Sequence, residues 1–247
     1  MGFRTDLKLL LKGKKGLLLS LRPLRLETRL YEPNEHEKLV KQLALNGVDL
    51  VYDVGANKGQ FGKSVFAAGY NGALVSFEPL SDAHALLTAA AARTPEWLVA
   101  ARAAVGAKSG ETTINISGNS QSSSILVLTQ QAMEGAPSAK FVRSEVVPVI
   151  TLDSTAYGTS VSRRFIKIDT QGFEMEVLKG ATNLLKTAKG VQLEMSFTPM
   201  YEGAPDFETL YRFMIDKGFE LWGMDTAFRD PKTRRLYQVD ATFFRKS

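Results

Sequence analysis

From residue 49 onward, short apolar runs alternate with longer segments in which apolar residues recur at helical spacing. The apolar runs predict strands at 49–54, 73–78, 97–102, 164–169 and 190–195. The intervening segments predict helices at about 59–68, 82–92, 173–186 and 206–217, followed by strands at 219–222 and 236–244. This alternation is typical of an α/β fold in which helices cover both faces of a mostly parallel sheet.

Two segments fall outside this alternation. Residues 1–47 are expected to form a basic arm and a helix that packs on the core, and residues 48–247 to form one domain. Within that domain, the segment at about 118–145 is polar, contains several serines and has no sustained period. Long loops inside compact domains are uncommon, so this insertion is either a lid over a site or a solvated excursion at the surface.

A glycine-containing turn follows the first of the predicted parallel strands. Residues 51–61 read Val-Tyr-Asp-Val-Gly-Ala-Asn-Lys-Gly-Gln-Phe, with glycines at Gly55 and Gly59. Glycine lets the backbone approach a ligand closely, because it has no Cβ and tolerates a positive φ. The next strand ends in Glu78 and Pro79. A glycine turn beside a strand that ends in an acid is typical of a site for a nucleoside with ribose hydroxyls.

The spacing of the turn narrows the choice of cofactor. It has the form G-x-N-x-G, and the dinucleotide fingerprint G-x-G-x-x-G is absent from the sequence. The turn therefore favours S-adenosylmethionine over nicotinamide and flavin cofactors. We expect Asp53 to organise the turn and approach the methionine end, and Glu78 to accept hydrogen bonds from the ribose hydroxyls. For any single acid at a strand end, the alternative is solvation or capping of a helix.

Two more acids end consecutive strands. The run Ile-Lys-Ile-Asp ends at Asp169, and the run Val-Gln-Leu-Glu ends at Glu194. Consecutive strands in such a sheet are often neighbours, so the two carboxylates are expected to converge at the cleft. There they would deprotonate a hydroxyl nucleophile or hold a divalent cation such as Mg²⁺. Glu174 opens the next helix, where an acid in the first turn is favourable, and is expected to cap it.

The composition removes several other chemistries. The chain of 247 residues contains no cysteine and only two histidines. Disulfides, thiolate metal sites, a cysteine nucleophile and a histidine-rich metal site are therefore excluded. Without a thiol, methyl transfer to C5 of cytosine is excluded as well. The length is sufficient for one domain with a full core.

The excess of basic residues belongs to the N-terminal arm. Residues 1–30 contain eight basic and two acidic residues, and the remainder contains 23 basic and 24 acidic residues. A nearly neutral body argues against a nucleic-acid groove, which needs a basic face. The leucine runs of the arm are too short to span a membrane. The arm therefore either packs its leucines on the domain or rests on an anionic membrane surface.

Four motifs together resemble the FkbM family of S-adenosylmethionine-dependent methyltransferases, within the Rossmann-like class I enzymes. They are Asp-Val-Gly-Ala-Asn-Lys-Gly-Gln-Phe (53–61), Phe-Glu-Pro (77–79), Ile-Thr-Leu-Asp (150–153) and Ile-Lys-Ile-Asp-Thr-Gln-Gly-Phe-Glu-Met-Glu-Val-Leu-Lys-Gly-Ala (166–181). The resemblance covers about residues 48–223, and the last motif is the most specific. It implies a seven-stranded, mostly parallel sheet with a C-terminal antiparallel hairpin. It also implies methylation of a hydroxyl on a sugar or a polyketide-derived natural product.

The motifs and the resemblance together assign residues to the site. Asp169 and Glu194 are the predicted catalytic residues and, if a cation is bound, its ligands. The acceptor side is expected to include Ser122, Ser123 and Tyr201. Two positions depart from the family pattern, because Arg102 stands where the family often has Asn, and Gln171 where it often has Glu. The predicted cofactor-binding residues are Asp53, Gly55, Ala56, Asn57, Gly59, Phe61, Glu78, Pro79, Arg102 and Ala103.

These features predict an S-adenosylmethionine-dependent O-methyltransferase that acts on a hydroxyl of a saccharide, glycolipid or related natural product. One alternative is a methyltransferase acting on RNA or protein, for which a basic body would be expected. The other is a non-catalytic module that binds S-adenosylmethionine. We expect a cytoplasmic protein with a saccharide or small-molecule acceptor and no nucleic-acid partner. Peripheral membrane contact through the arm and self-association are left open.

Overall fold

The computed structural model describes residues 33–117, 123–129, 141–157 and 163–246, together with the backbone of three N-terminal strands. These strands, Leu9–Leu11 (β1), Leu17–Arg22 (β2) and Arg25–Leu30 (β3), form a small antiparallel sheet. The side chains of the arm lie outside the described residues, so both interpretations of the arm stay predictions.

The remaining elements alternate largely as the sequence predicts. The strands are Leu50–Val54 (β4), Ala73–Phe77 (β5), Trp97–Val99 (β6), Ala104–Val105 (β7), Gly110–Ser117 (β8), Phe141–Ile150 (β9), Arg164–Ile168 (β10), Gly190–Ser196 (β11), Phe219–Arg229 (β12) and Leu236–Arg245 (β13). The α-helices are Glu35–Leu45 (α1), Gln60–Ala67 (α2), Ser81–Ala91 (α3), Glu174–Lys179 (α4), Thr182–Thr187 (α5) and Phe207–Asp216 (α6).

A seven-stranded sheet forms the centre of the domain, with the strand order β6-β5-β4-β10-β11-β13-β12. The five strands from β6 to β11 are parallel, and β13 is antiparallel to both of its neighbours. The sequence predictions of a mostly parallel sheet and a C-terminal antiparallel hairpin are confirmed. The strand order and the helices on both faces make this a Rossmann-like fold.

The two faces of the sheet bury separate hydrophobic cores. Tyr52 and Ile166 pack with α4, α5 and α6, whereas Val51 and Phe165 pack with α1, α2 and α3. Successive side chains of a strand point to opposite faces, and here both faces are covered by helices. A polar residue inside these strands is therefore buried, as the complete burial of Asp53 illustrates.

Helix α1 joins the N-terminal region to this core. Asn34 caps the helix through a reciprocal pair of hydrogen bonds, in which its side chain accepts from the Glu37 N–H at 3.0 Å. The Glu37 carboxylate accepts from the Asn34 N–H at 3.3 Å, so two backbone donors at the helix start are satisfied. Leu39 and Leu43 pack against the face that also carries α2.

The helix predicted at 173–186 is interrupted. It consists of α4 and α5, and Gly180 ends α4 where a Cβ would lie 2.0 Å from the carbonyl oxygen of Gly106. The carboxylate of Asp153 accepts from the N–H groups of Asn183 and Leu184 at 2.8 Å each, which starts α5 anew. The strand predicted at 219–222 also differs, since β12 continues to Arg229.

The insertion predicted at about 118–145 is described only in part. Residues 118–122 and 130–140 lie outside the described residues, and 123–129 follow an irregular path. Its last five residues belong to β9, which with β7 and β8 forms a three-stranded sheet packed on α3 through Leu80, Ala83 and Ile114. In the part of the chain that the structure describes, no helix is long and apolar enough to cross a membrane.

Candidate active site

The order of the strands positions the site. The chain runs outward from β4 to β6 and then returns to β10 on the other side of β4. Ligands of such sheets bind outside the carboxyl ends of the strands at this reversal. A cavity of about 510 Å³ lies there, a volume typical of small-molecule sites.

The glycine turn after β4 is fixed by contacts with both neighbouring strands. Gly55 has a φ of +80°, and a Cβ at this position would lie 1.8 Å from the carbonyl oxygen of Asp169. The N–H groups of Gly55 and Ala56 donate to the carbonyl of Phe77 at 3.1 and 3.0 Å. Only glycine fits at this close approach, which brings the turn directly against the end of β10.

Gly59 shapes the same turn without lining the cavity. It begins α2 with a φ of +83°, and a Cβ there would lie 2.8 Å from the ring of Trp97. A Cβ on Gly62, one turn further, would lie 2.3 Å from the same ring. The two glycines therefore allow the indole to pack directly under the turn.

Glu78 joins the turns that follow β4 and β5. The side chain is 4% exposed and lines the cavity. Its Oε2 accepts from the Asn57 N–H at 2.8 Å, and its Oε1 accepts from the Leu80 N–H at 2.9 Å. Burial raises the pKa of Glu78 to about 7, although these two donors oppose the shift. Each carboxylate oxygen can accept a second hydrogen bond, which leaves one position on each for a ribose hydroxyl.

The structure corrects the role predicted for Asp53. Its side chain is fully buried and is not part of the cavity wall. Oδ2 accepts a hydrogen bond from the Ser76 hydroxyl at 3.1 Å. That hydroxyl in turn accepts from the indole N–H of Trp97 at 2.9 Å. Oδ1 lies 3.3 Å from Nζ of Lys167, and burial raises the pKa of Asp53 despite this cation. Asp53 therefore packs beneath the glycine turn and does not face the cavity.

Arg102 is also used differently from the prediction. Its guanidinium donates to the Pro79 carbonyl at 3.0 Å and to the Glu145 carboxylate at 2.6 Å, away from the cavity wall. Glu145 in turn accepts from the Ser81 hydroxyl at 3.1 Å at the start of α3. Arg102 thus ties β9 to the loop that follows β5. The predicted cofactor residues that line the cavity are Gly55, Ala56, Asn57, Phe61, Glu78, Pro79 and Ala103.

Lys167 lies between the cofactor turn and the predicted catalytic acids. Its Nζ is 3.3 Å from Oδ1 of Asp53, 3.4 Å from Oδ2 of Asp169 and 5.4 Å from the ring centroid of Phe61. Burial alone would lower the pKa of Lys167, but the carboxylates of Asp169, Asp53 and Asp240 raise it and prevail. The buried ammonium is therefore a fixed positive charge shared by the two halves of the site.

Gln171 lies between the two predicted catalytic carboxylates. Its Nε2 donates to Oδ1 of Asp169 at 2.8 Å and to Oε2 of Glu194 at 2.9 Å. Its Oε1 accepts from the Tyr201 hydroxyl at 2.7 Å. Gln238 also donates to Oε2 of Glu194, at 3.0 Å. The structure thus brings Asp169 and Glu194 together at the cavity through one amide group.

Two acids of this wall, Glu194 and Asp240, have raised pKa values. Glu194 on β11 is paired in register with Asp240 on β13, which in turn lies opposite Asp225 on β12. Burial and the charge of Asp169 raise the pKa of Glu194 well above its usual range. Burial and the same charge raise the pKa of Asp240 to about 7. Glu194 and Asp240 therefore keep their protons to higher pH than ordinary carboxylates do.

The residues present do not fit a divalent cation. Across the described ranges, no group of three or more acidic or histidine side chains is arranged to hold a metal ion. The amide nitrogen of Gln171 fills the position between Asp169 and Glu194, and Nζ of Lys167 lies beside Asp169. A cation there would meet N–H donors where it needs oxygen ligands. The prediction that these two acids are metal ligands is not supported.

The structure places the three residues predicted for the acceptor side differently. Ser122 lies outside the described residues. Ser123 lines the cavity, and its hydroxyl accepts from the Ser117 N–H at 3.1 Å. Tyr201 also lines the cavity but is 3% exposed, and burial raises the pKa of its hydroxyl, which donates to Gln171. Tyr201 therefore acts on the site through Gln171.

A family comparison identifies the chain. The family model described as "Methyltransferase FkbM domain" matches residues 53–221, which is more than half of the chain. The chain belongs to the FkbM family of methyltransferases. The matched segment contains the glycine turn, Glu78, Asp169 and Glu194. A search of curated proteins gives no match.

Solved structures resemble this FkbM-family chain at low identity. A Pyrococcus horikoshii protein provisionally described as an RNA methyltransferase is 12% identical, with a TM-score of 0.44 and 89% of each chain covered. Magnesium protoporphyrin IX methyltransferase from Synechocystis, solved with S-adenosylmethionine, is 13% identical, with a TM-score of 0.42 and coverage of 85% and 78%. Precorrin-6y C5,15-methyltransferase from Geobacter metallireducens is 11% identical, with a TM-score of 0.44 and coverage of 85% and 87%. The family assignment rests on the family model alone.

The glycine turn of this FkbM-family chain fits S-adenosylmethionine, the methyl donor. Gly55 and Ala56 present no bulky side chain to the cavity, and Glu78 keeps acceptor positions on both oxygens. Ala103 continues the same wall. The cavity of about 510 Å³ falls within the range for ligands of this size.

The sequence did not predict the roles of three residues of the FkbM site. Lys167 and Asp240 are charged residues inside apolar strands, and charged side chains are rarely buried unless they are paired. A charged residue inside an apolar strand was therefore the sequence feature that could have indicated both Lys167 and Asp240. Gln171 was visible as a departure from the family pattern, but its bonds to two acids depend on side-chain geometry that the spacing does not encode.

Proposed function

We propose that this methyltransferase transfers a methyl group to a hydroxyl of a saccharide or a related natural product. The observation that carries the proposal is the pair of carboxylates, Asp169 and Glu194, at the wall of the cavity. A hydroxyl is a weak nucleophile, so a base must accept its proton as the new C–O bond forms. Gln192, Gln238 and Thr226 line the same cavity, and such side chains suit an acceptor with several hydroxyl groups.

S-adenosylmethionine supplies the electrophilic methyl group when bound. The residues of the chain then have two tasks, which are to orient the acceptor oxygen and to remove its proton. Glu194 suits the role of base, because burial and the charge of Asp169 raise its pKa above that of an ordinary carboxylate and so make it a stronger proton acceptor. Asp169 is paired with Lys167 and suits the role of orienting the hydroxyl. Glu78 and the glycine turn would hold the cofactor.

The acids are tested with Asp169→Asn and Glu194→Gln on an acceptor found by screening saccharides and polyketide-derived alcohols for methyl transfer. Each variant should lower turnover by ~10²–10⁴, the usual effect of losing a general base, while cofactor affinity changes little. Glu202→Gln, an exposed acid beside Tyr201, provides a matched control. Full turnover in both variants on the true acceptor would refute the assignment, and transfer only to RNA or protein would refute the substrate class.

A further inference from the structure

The side-chain amide of Gln171 makes three hydrogen bonds within the candidate active site. Both protons of Nε2 are used, one for Oδ1 of Asp169 at 2.8 Å and one for Oε2 of Glu194 at 2.9 Å. The remaining amide atom, Oε1, accepts from the Tyr201 hydroxyl at 2.7 Å. The reversed amide would place an oxygen between two groups that, when ionised, only accept hydrogen bonds. The chemistry of the partners therefore fixes the orientation of the amide.

The backbone holds Gln171 in a conformation that a non-glycine residue rarely adopts. Its φ is +56°, and such a conformation persists only where the surroundings enforce it. Glu174 enforces the turn, because its Oε1 accepts from the N–H groups of Thr170 and Gly172 at 3.0 and 3.1 Å. The hydroxyl of Ser124 donates to the Gln171 carbonyl at 2.7 Å. The position of Gln171 is thus set by three separate segments of the chain, through Glu174, Ser124 and Tyr201.

We propose that Gln171 is a positioning residue that holds Asp169 and Glu194 as one unit, with its amide nitrogen in the place that a cation or a shared proton would otherwise take. This inference rests on the proposed function of the two acids. Two carboxylates at one site repel each other when both are ionised. The two N–H donors offset that repulsion and fix the distance between the acids, so no metal ion is needed to bring them together.

A consequence follows for the protonation of the pair. Hydrogen bonds donated to ionised carboxylates favour the charged form, so Gln171 lowers the pH at which the pair becomes a working base. Loss of the donors should raise that pH by about 1–2 units, the equivalent of a hydrogen bond to a charged group. The other titratable groups that face the pair are Lys167 on β10, Glu174 on α4, Asp240 on β13, and Asp53 and Tyr201.

The test uses Gln171→Met, which keeps the length of the side chain and removes both donors. We expect the acidic limb of kcat/KM against pH to move upward by about 1–2 units, while cofactor affinity stays within about twofold. Carbon-13 NMR of the Asp and Glu carboxyls in the cofactor-free protein should show the same upward movement. Gln42→Met on α1, a residue that does not line the cavity, is the matched control and should leave the limb in place.

A second variant, Gln171→Glu, preserves the shape of the side chain and adds an acid. It should move the limb further upward, and turnover lost at neutral pH should return in part at higher pH. The proposal would be overturned if, in both variants, the acidic limb of kcat/KM and the carboxyl titrations stayed at their wild-type pH. Loss of wild-type activity with EDTA and recovery with Mg²⁺ would also overturn it, because a cation would then lie where the amide does. The NMR titration needs no acceptor, so it is independent of the turnover of Asp169→Asn and Glu194→Gln.

Discussion

The half-buried acid Asp240 should make the folded protein less stable as the pH rises. Its pKa is raised from 3.8 to about 7, first by burial and then by the charge of Asp169. Below about pH 4 the carboxyl is protonated in both the folded and the unfolded chain and contributes no difference. Between about pH 4 and 7 the folded chain holds a proton that the unfolded chain releases, so the free energy of unfolding decreases with rising pH. Above about pH 7 the loss is complete.

The size of this effect follows from the shift. About three pH units correspond to ~4 kcal/mol, and partial access of solvent to Asp240 reduces this to about 2–4 kcal/mol. Asp240→Asn preserves the shape of the side chain and cannot ionise. Relative to wild type, the variant should therefore gain about 2–4 kcal/mol in free energy of unfolding between pH 4.5 and pH 8.

The measurement is urea denaturation of both proteins at pH 4.5, 6 and 8. Asp216→Asn, at the exposed end of α6, shows the effect of removing a negative charge from the surface. If the difference in free energy of unfolding between Asp240→Asn and wild type is the same at all three pH values, ionisation of Asp240 does not destabilise the fold. A difference that falls with pH would give the shift the opposite sign and refute the reasoning.

Two further predictions concern the cofactor turn. Glu78→Ala should weaken the binding of S-adenosylmethionine by about 1.5–3 kcal/mol in calorimetric titration. The affinity of the wild-type protein should decrease below pH 7, because protonation of Glu78 removes acceptor capacity. Unchanged affinity in the variant would show that Glu78 does not bind the ribose. Gly55→Ala should lose more than about 3 kcal/mol of stability in urea denaturation, because its Cβ would overlap the Asp169 carbonyl at 1.8 Å and its φ is positive. Gly69→Ala, with a φ of +96° and nothing within 4 Å, should lose only about 1–2 kcal/mol, and equal losses would show that the overlap is harmless.

The elements that the sequence predicted well are those set by local patterns. The glycine turn, the acid at the end of β5 and the parallel strands follow from residue type and period, so their place in the fold could be read before the structure. The interruption of the helix predicted at 173–186 could not be read in this way. It depends on the close approach of Gly106 and on a cap from Asp153, which is 30 residues earlier in the chain.

The errors within the site have a similar origin. Arg102 follows the third strand at a position where cofactor contact was expected, but Glu145, 43 residues later, captures its guanidinium. Asp53 lies next to the end of its strand, yet the alternation of β4 turns it into the core toward Lys167. The sequence places polar residues near a sheet edge, and long-range partners decide which of them reach the cavity.

The packing of Trp97 under the glycine turn gives the protein an intrinsic optical reporter. The chain has two tryptophans, of which Trp97 is 5% exposed and Trp222 is 43% exposed. Trp97 packs against Gly59 of the turn and Gly62 of α2, whereas Trp222 lies on the opposite edge strand of the sheet and packs at a tilt against Phe244, with ring centroids 4.6 Å apart. Blue emission therefore comes from the indole beside the cofactor turn, and red-shifted, quencher-accessible emission comes from the other. Ligand binding at the turn can be followed without any attached dye.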